Sequence, residues 1–262
     1  MLKLVAIDLD GSLLDDQKNL PEGFWETAAT LFQKNVHLVI ASGRPFHNIA
    51  SLFEPIKDQL YFACDNGSYV VHGNEELLVN QLAAPAIKQF IEISRPIPNV
   101  YPVLCSKHLA YIENTEQEFT SQALKYYQEY RTVDDLTKVE DIILKISLCD
   151  LAGSETNSYP FYKQFEGDFR VAVAGQIWLD ITNRDGSKGT AIKAIQEQLN
   201  VSPEETLVFG DYLNDLDMIQ NAGYSYAMKN AHPTILKEAK YITDRTNNEG
   251  GVIHTIRQLF KI

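Results

Sequence analysis

Short, continuously apolar segments recur in the first third of the chain, and stretches of helical composition separate them. Three of these segments are "LKLVAIDL" at 2–9, "VHLVIAS" at 36–42 and "LYFAC" at 60–64. Helices are predicted between them over 21–34 and 45–54, each with a proline in its first turn. A strand that is apolar throughout is buried on both faces. The alternation therefore predicts a parallel α/β sheet with helices covering both sides.

The middle of the chain has a different order of elements. A Gly73-Asn74 turn predicts a hairpin within 68–80. The elements predicted after it are a helix over 83–94, two strands within 99–112, a helix over 115–130, a strand over 141–149, a helix near 154–166, and strands over 169–174 and 177–182. We expect this order to form an antiparallel sheet with helices on one face, which is an α+β unit.

The alternating pattern returns from residue 186. The predicted elements are a helix over 187–199, a strand over 206–210, a helix over 213–220, a strand over 224–228, and helices over 232–239 and 250–260. One α/β domain, made of 1–80 and 186–262, is thus expected to be interrupted by an inserted α+β domain at 81–185. The predicted fold class is α/β, a Rossmann-like parallel sheet with an insertion.

Four polar stretches lie at predicted strand ends or helix starts. They are "DLDGS" after the first strand, "ASGR" after the second, "DGSKG" before the helix at 187, and "GDYLND" after the strand at 206–210. Ligands of open parallel sheets bind beyond the carboxyl ends of the strands. The four stretches are therefore expected to converge on one site.

Acidic residues dominate two of these stretches. Asp8 and Asp10 end the first strand, while Asp211 and Asp215 follow a later one. Carboxylates gathered in one crevice repel each other unless a cation lies among them. Oxygen ligands with no nearby His or Cys favour Mg²⁺ over Zn²⁺.

Cationic and hydroxyl groups accompany the acids. Lys188, Arg44 and Ser42 belong to the other two stretches and would supply positive charge and hydrogen-bond donors. Such groups beside Mg²⁺ and an exposed carboxylate are suited to binding a phosphate group.

Each stretch alone also has a simpler interpretation. An Asp-x-Asp after a strand is equally typical of a turn that caps the next helix. "GSKG" lacks the earlier glycine of a phosphate-binding Walker A loop, and no G-x-G-x-x-G follows the first strand. Only the joint order of the four stretches is specific.

Composition limits the partners and the compartment. The net charge of −12 repels phosphate backbones, so nucleic acid is not an expected partner. Three dispersed cysteines, Cys64, Cys105 and Cys149, favour reduced thiols over a disulfide framework. Neither a leader segment nor an apolar span of membrane length is evident. We expect a cytoplasmic protein that binds no membrane and is a monomer or a homodimer.

The ordered stretches resemble the four motifs of the haloacid dehalogenase (HAD) superfamily of phosphohydrolases. "DLDGSLL" resembles the first motif, "ASGR" the second, Lys188 the third and "GDYLNDLDMI" the fourth. The element order resembles the Cof-type sugar phosphatases, whose α+β cap is inserted into the core. The chain departs from the family in Ser12, where Thr is commoner, and in "TNRDGSKG" before Lys188.

The resemblance implies catalytic and metal-binding roles. Asp8 would attack phosphorus and form an aspartyl-phosphate, and Asp10 would act as general acid and then general base. Asp8, the backbone carbonyl of Asp10, and Asp211 would hold Mg²⁺. Asp215 would support Lys188 or the waters of the metal from behind.

The resemblance also implies phosphate and substrate contacts. They are Ser42, Gly43, Arg44, Lys188 and Asn214. For Arg44, a substrate contact and an ion pair at the strand end both remain open. Asn66, in "DNGS", is either a substrate contact or a turn residue.

The resulting expectation is a Mg²⁺-dependent phosphatase of small phosphorylated metabolites, sugar phosphates foremost. Two alternatives remain. A phosphomutase would pass the phosphoryl group to a second hydroxyl, and a sensor of phosphometabolites would bind without turnover. A pure binder has no use for both Asp8 and Asp10, which weighs against the sensor.

Overall fold

A computed structural model describes residues 1–127 and 129–262, and it divides the chain into two compact units. The first unit comprises 1–43, 54–78 and 187–262, and the second comprises 44–53 and 79–186. The sequence placed 44–53 with the α/β part of the chain, whereas this segment belongs to the second unit.

An eight-stranded sheet organises the first unit. Its strands are β1 (Leu4–Asp8), β2 (His37–Ala41), β3 (Tyr61–Cys64), β4 (Tyr69–His72), β5 (Glu75–Val79), β12 (Thr206–Gly210), β13 (Tyr224–Ala227) and β14 (Tyr241–Ile242). Their order is β14-β13-β12-β1-β2-β3-β4-β5. The pairings from β14 to β3 are parallel, and β4 runs antiparallel to β3.

Strand β1 lies at the centre of this sheet, and all five of its residues are buried. It pairs with β12 on one side and β2 on the other, so that Ile7 lies opposite Phe209 and Ile40. Two-sided burial explains why this strand is apolar until its last residue. The carboxyl ends of β1, β2 and β12 therefore lie side by side at one edge.

Nine α-helices lie in the described residues, and short 3-10 turns extend several of them. They are α1 (Phe24–Gln33), α2 (Phe46–Ala50), α3 (Ala84–Ser94), α4 (Gln117–Ala123), α5 (Tyr159–Tyr162), α6 (Lys188–Leu199), α7 (Leu216–Gln220), α8 (Pro233–Glu238) and α9 (Gly251–Phe260). In the described part of the chain, none has the length and apolar character that crossing a membrane requires.

The second unit contains a six-stranded sheet. Its strands are β6 (Val100–Ser106), β7 (Ala110–Ile112), β8 (Tyr130–Thr132), β9 (Ile143–Asp150), β10 (Phe169–Gly175) and β11 (Trp178–Asn183). The order is β10-β11-β9-β6-β7-β8, antiparallel except for the parallel pair β7–β8. The predicted helix over 115–130 is wrong beyond α4, because Tyr130 already belongs to a strand; residue 128 lies outside the described residues.

Helices cover both faces of this second sheet. Neighbouring residues of a strand point to opposite faces. On β6, Leu104 belongs to one apolar cluster with Phe90 of α3, while Val103 belongs to another with Phe119 of α4. The expectation of helices on one face only was therefore wrong. Helix α5 joins the cluster of α3 through Tyr162.

Candidate active site

The candidate site lies at the carboxyl ends of β1 and β12. Asp8 is the last residue of β1, and Asp211 directly follows β12. Between them passes Gly11, whose φ of 84° favours glycine. A Cβ at Gly11 would overlap the Asp211 carboxylate. Glycine in the first motif thus permits Asp211 to approach the end of β1.

Lys188 joins two of the carboxylates. As the first residue of α6, it sends its ammonium group to Asp8 Oδ1 and to Asp215 Oδ1, the latter at 2.6 Å. Lys188 and Asp215 are fully buried, and Asp8 is 5% exposed. A buried charge needs an opposite charge and hydrogen bonds. Lys188 is therefore stabilised as an ammonium ion by the two carboxylates, and it offsets part of the repulsion between them.

Asp215 also fixes the backbone that carries Asp211. Its Oδ2 accepts the backbone N–H groups of Asp211 (2.9 Å) and Tyr212 (3.1 Å). From the first motif, the Ser12 hydroxyl donates to Asp211 Oδ1 at 3.2 Å. Asp215 thereby links the ammonium group on α6 to the loop after β12.

Asp8 and Asp211 have raised pKa values. Burial raises the pKa of Asp8 well above its ordinary value, and Asp215 and Asp211 raise it further against the opposing effect of Lys188. Burial and Asp215 raise the pKa of Asp211 to about 6. Burial alone would lower the pKa of Lys188, but Asp215 and Asp8 raise it. Lys188 therefore does not compensate for all the negative charge.

The donor set fits a hard divalent cation. One oxygen each of Asp8, Asp211 and Asp215 lie within 4.8 Å of one another. Asp8 Oδ2 is buried and accepts no hydrogen bond from any residue that the structure describes. With Lys188 counted, the cluster has an excess of two negative charges when fully ionised. Oxygen ligands and this excess fit Mg²⁺.

Asp10 lies at the edge of this cluster rather than inside it. Its side chain is 34% exposed and pairs with Lys18, whose Nζ lies 2.8 Å from Asp10 Oδ1. The side chain of Asp10 is not one of the three clustered acids. A partly exposed carboxylate can exchange protons with water or substrate more readily than the buried Asp8.

Asn66 connects the second motif, at Ser42, with the fourth motif, at Asn214. Ser42, which is 1% exposed, accepts the backbone N–H of Asn66 with its carbonyl at 3.0 Å. Asn214 donates from Nδ2 to Asn66 Oδ1 at 3.0 Å, and Gly43 lies against the same amide. Arg44 is the first residue of the second unit.

Sequence reasoning missed two contacts. Lys18, the partner of Asp10, has a left-handed backbone with φ of 67°, for which its sequence context gave no signal. The contact of Asn66 with Asn214 joins residues 148 positions apart. Its signal was the Asn-Gly pair, which marks a special backbone conformation but not a partner.

Comparison with known proteins gives consistent results over nearly the whole chain. A family model described as haloacid dehalogenase-like hydrolase matches residues 5–256. The chain is 28% identical over 263 residues to the 5-amino-6-(5-phospho-D-ribitylamino)uracil phosphatase YbjI of Escherichia coli K12, covering 99% of this chain and 97% of that protein.

Solved structures share the fold. A haloacid dehalogenase-like hydrolase from Bacteroides thetaiotaomicron superposes with a TM-score of 0.88 at 25% identity, covering 99% of this chain and 100% of that one. The HAD subclass IIB sugar phosphatase BT4131 superposes with a TM-score of 0.85 at 19% identity, covering 99% and 100%. The second likeness concerns the fold alone.

Proposed function

Because the chain belongs to the haloacid dehalogenase-like hydrolases and is a phosphatase of that family, we propose that it hydrolyses small phosphorylated metabolites with Asp8 as nucleophile and Mg²⁺ as cofactor. One observation carries the proposal. Asp8 has one oxygen on the Lys188 ammonium group and a second, buried oxygen that has no hydrogen bond to any described residue. That arrangement orients a carboxylate while leaving an atom for chemistry.

The first step forms a covalent intermediate. An oxygen of Asp8 attacks phosphorus, an O–P bond forms, and the bond from phosphorus to the leaving alcohol breaks. Asp10 donates a proton to the departing oxygen from its carboxyl group, whose Oδ1 pairs with Lys18. In the second step water attacks phosphorus, Asp10 takes its proton, and the Asp8 carboxylate is released with inorganic phosphate.

The phosphoryl oxygens need donors as their charge changes. We assign this role to Lys188, Ser42 and Asn214, with Gly43 supplying backbone in the same loop. For Arg44, substrate contact and an ion pair remain alternatives. Lys188 is well suited because its two carboxylate partners keep it charged, as the direction of its pKa indicates.

Asp8, Asp211 and the backbone carbonyl of Asp10 would hold Mg²⁺. When bound, the ion screens the repulsion between the nucleophile and the anionic phosphate. We do not assign Asp215 as a ligand, because its oxygens already accept from Lys188 and from two backbone N–H groups.

The proposed substrates are phosphates of sugars or sugar alcohols. The name of the Escherichia coli relative specifies a phosphorylated ribityl group, and BT4131 is named a sugar phosphatase. We assign recognition of the part beyond the phosphate to the inserted domain, 81–185, and the chemistry to 1–80 and 186–262. Three buried thiols, none of which forms a disulfide, support a cytoplasmic site of action.

The test is phosphate release from a panel of phosphorylated sugars and sugar alcohols, with Mg²⁺ or with EDTA. Asp8→Asn is expected to lower kcat by about 10⁴-fold or more, because Asn cannot form the intermediate. The matched control is Asp244→Asn, an exposed acid of the same unit, which should keep wild-type rates. Activity of Asp8→Asn within tenfold of wild type would refute the assignment. Isomer formation without phosphate release would instead identify a mutase.

A further inference from the structure

The turn Asp65–Gly67, which follows β3, has an unusual backbone. Its three residues have φ values of 48°, 56° and 88°, all in the left-handed region. A left-handed conformation costs an ordinary residue roughly 1–2 kcal/mol, less for Asn and Asp, and it occurs mostly in single residues. Three in succession require compensation from the surrounding structure.

The compensation comes from contacts with three of the motif segments. The backbone N–H of Asn66 donates to the Ser42 carbonyl at 3.0 Å. Asn66 Oδ1 accepts from Asn214 Nδ2 at 3.0 Å. Gly67 lies so close to the Ser187 carbonyl that a Cβ there would overlap it, and Ser187 caps the helix that begins with Lys188.

Small residues allow Asn66 to occupy this position. A Cβ on Gly43 would lie 3.1 Å from Asn66 Oδ1, so the amide packs directly on the backbone of the second motif. Asn66 is 9% exposed. Its Oδ1 is an acceptor, as phosphate oxygens are, so this atom cannot serve the phosphate directly.

We propose that Asn66 is a positioning residue that orients the Asn214 carboxamide, an inference that rests on the proposed function. Accepting from Asn214 Nδ2 selects one of the two amide orientations and leaves the other N–H of that nitrogen available to a phosphoryl oxygen. Through its backbone, the same residue holds the Ser42 loop. Asn66 thus acts on the phosphate through Asn214.

The test removes the Asn66 side chain without disturbing the turn. Asn66→Gly introduces a residue that adopts positive φ freely, and it removes the acceptor Oδ1. We expect its KM, and its Kd for inorganic phosphate with Mg²⁺ measured by calorimetry, to rise about fivefold, with a smaller change in kcat. Asn35→Gly is the matched control, since Asn35 also has φ of 56° but is exposed at the end of α1. It should retain wild-type values.

A double-mutant cycle with Asn214→Ala separates positioning from other roles. If Asn66 acts through Asn214, Asn66→Gly changes KM and Kd less than twofold in the Asn214→Ala background. An equal factor in both backgrounds overturns the proposal, because it would indicate a direct or general structural role. Thermal melting verifies folding, and the binding and kinetic measurements are made below the lowest melting temperature of the four proteins.

Failure of the proposed function has a different signature. If wild-type protein releases no phosphate from any substrate, that function falls, and the phosphate Kd values of the same four proteins still decide the role of Asn66. If wild-type protein also binds no inorganic phosphate, the positioning role falls with it. An additive cycle in an active enzyme overturns the positioning role alone.

Discussion

Lys188 holds two buried carboxylates in place, and its loss would leave both without their shared cation. We expect Lys188→Met to lower the free energy of unfolding by roughly 3–5 kcal/mol, measured by urea denaturation, because Asp8 and Asp215 would then face each other uncompensated. Lys193→Met is the control, since Lys193 is exposed on the same helix. A difference below about 1 kcal/mol between the two variants would contradict the structural role of Lys188.

The cysteines give a second prediction at the residue scale. None of the three forms a disulfide, and each is at most 1% exposed. Burial raises the pKa of Cys149 to about 12 and that of Cys64 well above its usual value. The thiolate is the reactive form, so both the burial of the three thiols and the raised pKa values of Cys64 and Cys149 oppose modification. A thiol-disulfide reagent at pH 8 should find no rapidly reacting thiol in the native protein and three in denaturant. One fast thiol without denaturant would count against this packing.

Strands β9 and β11 are connected by a buried polar network. Lys145 Nζ lies 3.2 Å from Asp180 Oδ2, and the Ser147 hydroxyl donates to Asp180 Oδ1 at 2.6 Å. Tyr127 donates in turn to Ser147 at 3.0 Å. Neutralising either Lys145 or Asp180 would leave the other buried charge without its opposite partner in a low-dielectric interior.

We therefore expect Lys145→Met to cost roughly 3 kcal/mol of unfolding free energy, measured in urea, because the buried Asp180 loses a cationic partner. The control is Lys163→Met, which alters an exposed lysine of the same unit. The double variant Lys145→Met, Asp180→Asn should recover part of the loss. Equal stability of Lys145→Met and its control would show that the pair does not stabilise the sheet.

The order of most elements could be predicted from periodicity, but the boundaries of two helices differ from the prediction by at least five residues. The helix predicted near 154–166 begins only at Tyr159. The Asp150 carboxylate accepts the backbone N–H groups of Ala152 and Ser158 and the side-chain amide of Asn157. These bonds hold the preceding residues in turns instead of a helix. Such a competition depends on a strand residue that local patterns do not connect to the turn.

The second boundary error lies after α4. Its sequence continues with helix formers, yet the helix ends at Ala123. Tyr126 and Tyr127 then pack edge-on against Trp178, and the exposed three-residue strand β8 begins at Tyr130. Tertiary packing overrides helix propensity here, and a short exposed strand has no apolar alternation to reveal it.

Across the whole molecule, the side chains that form the site were more predictable than the residues that contact them from neighbouring turns. Buried strands that end in acids placed Asp8 and Asp211 at one sheet edge, because parallel strands end together. The structure brings Lys188 and Asp215 to that edge as well. The partner of Asp10 and the contact of Asn66 could not be predicted, since both depend on left-handed turns whose neighbours are set by the complete fold.

The surplus negative charge of the site makes the stability of the whole molecule depend on pH. Without a cation, the raised pKa values of Asp8 and Asp211 mean that the folded state binds more protons than the unfolded chain above pH 4. The contribution of Asp211 to stability is therefore present near pH 4 and is lost as the pH rises through about 6. Mg²⁺ competes with these protons, so its stabilising effect should have the opposite pH dependence.

We accordingly expect Mg²⁺ at ten times its Kd to add about 1.4 kcal/mol and raise Tm by roughly 3 °C at pH 7.5, relative to EDTA. At the same Mg²⁺ concentration and pH 5, the rise in Tm should be below about 1 °C, because protonated Asp211 is a poor ligand. Thermal melts of wild type, Asp211→Asn and Asp244→Asn measure this. The first substitution should abolish the shift, and the second, an exposed acid, should preserve it. The same shift at both pH values, or a shift that survives Asp211→Asn, would place the cation elsewhere and remove Asp211 from the proposed metal site.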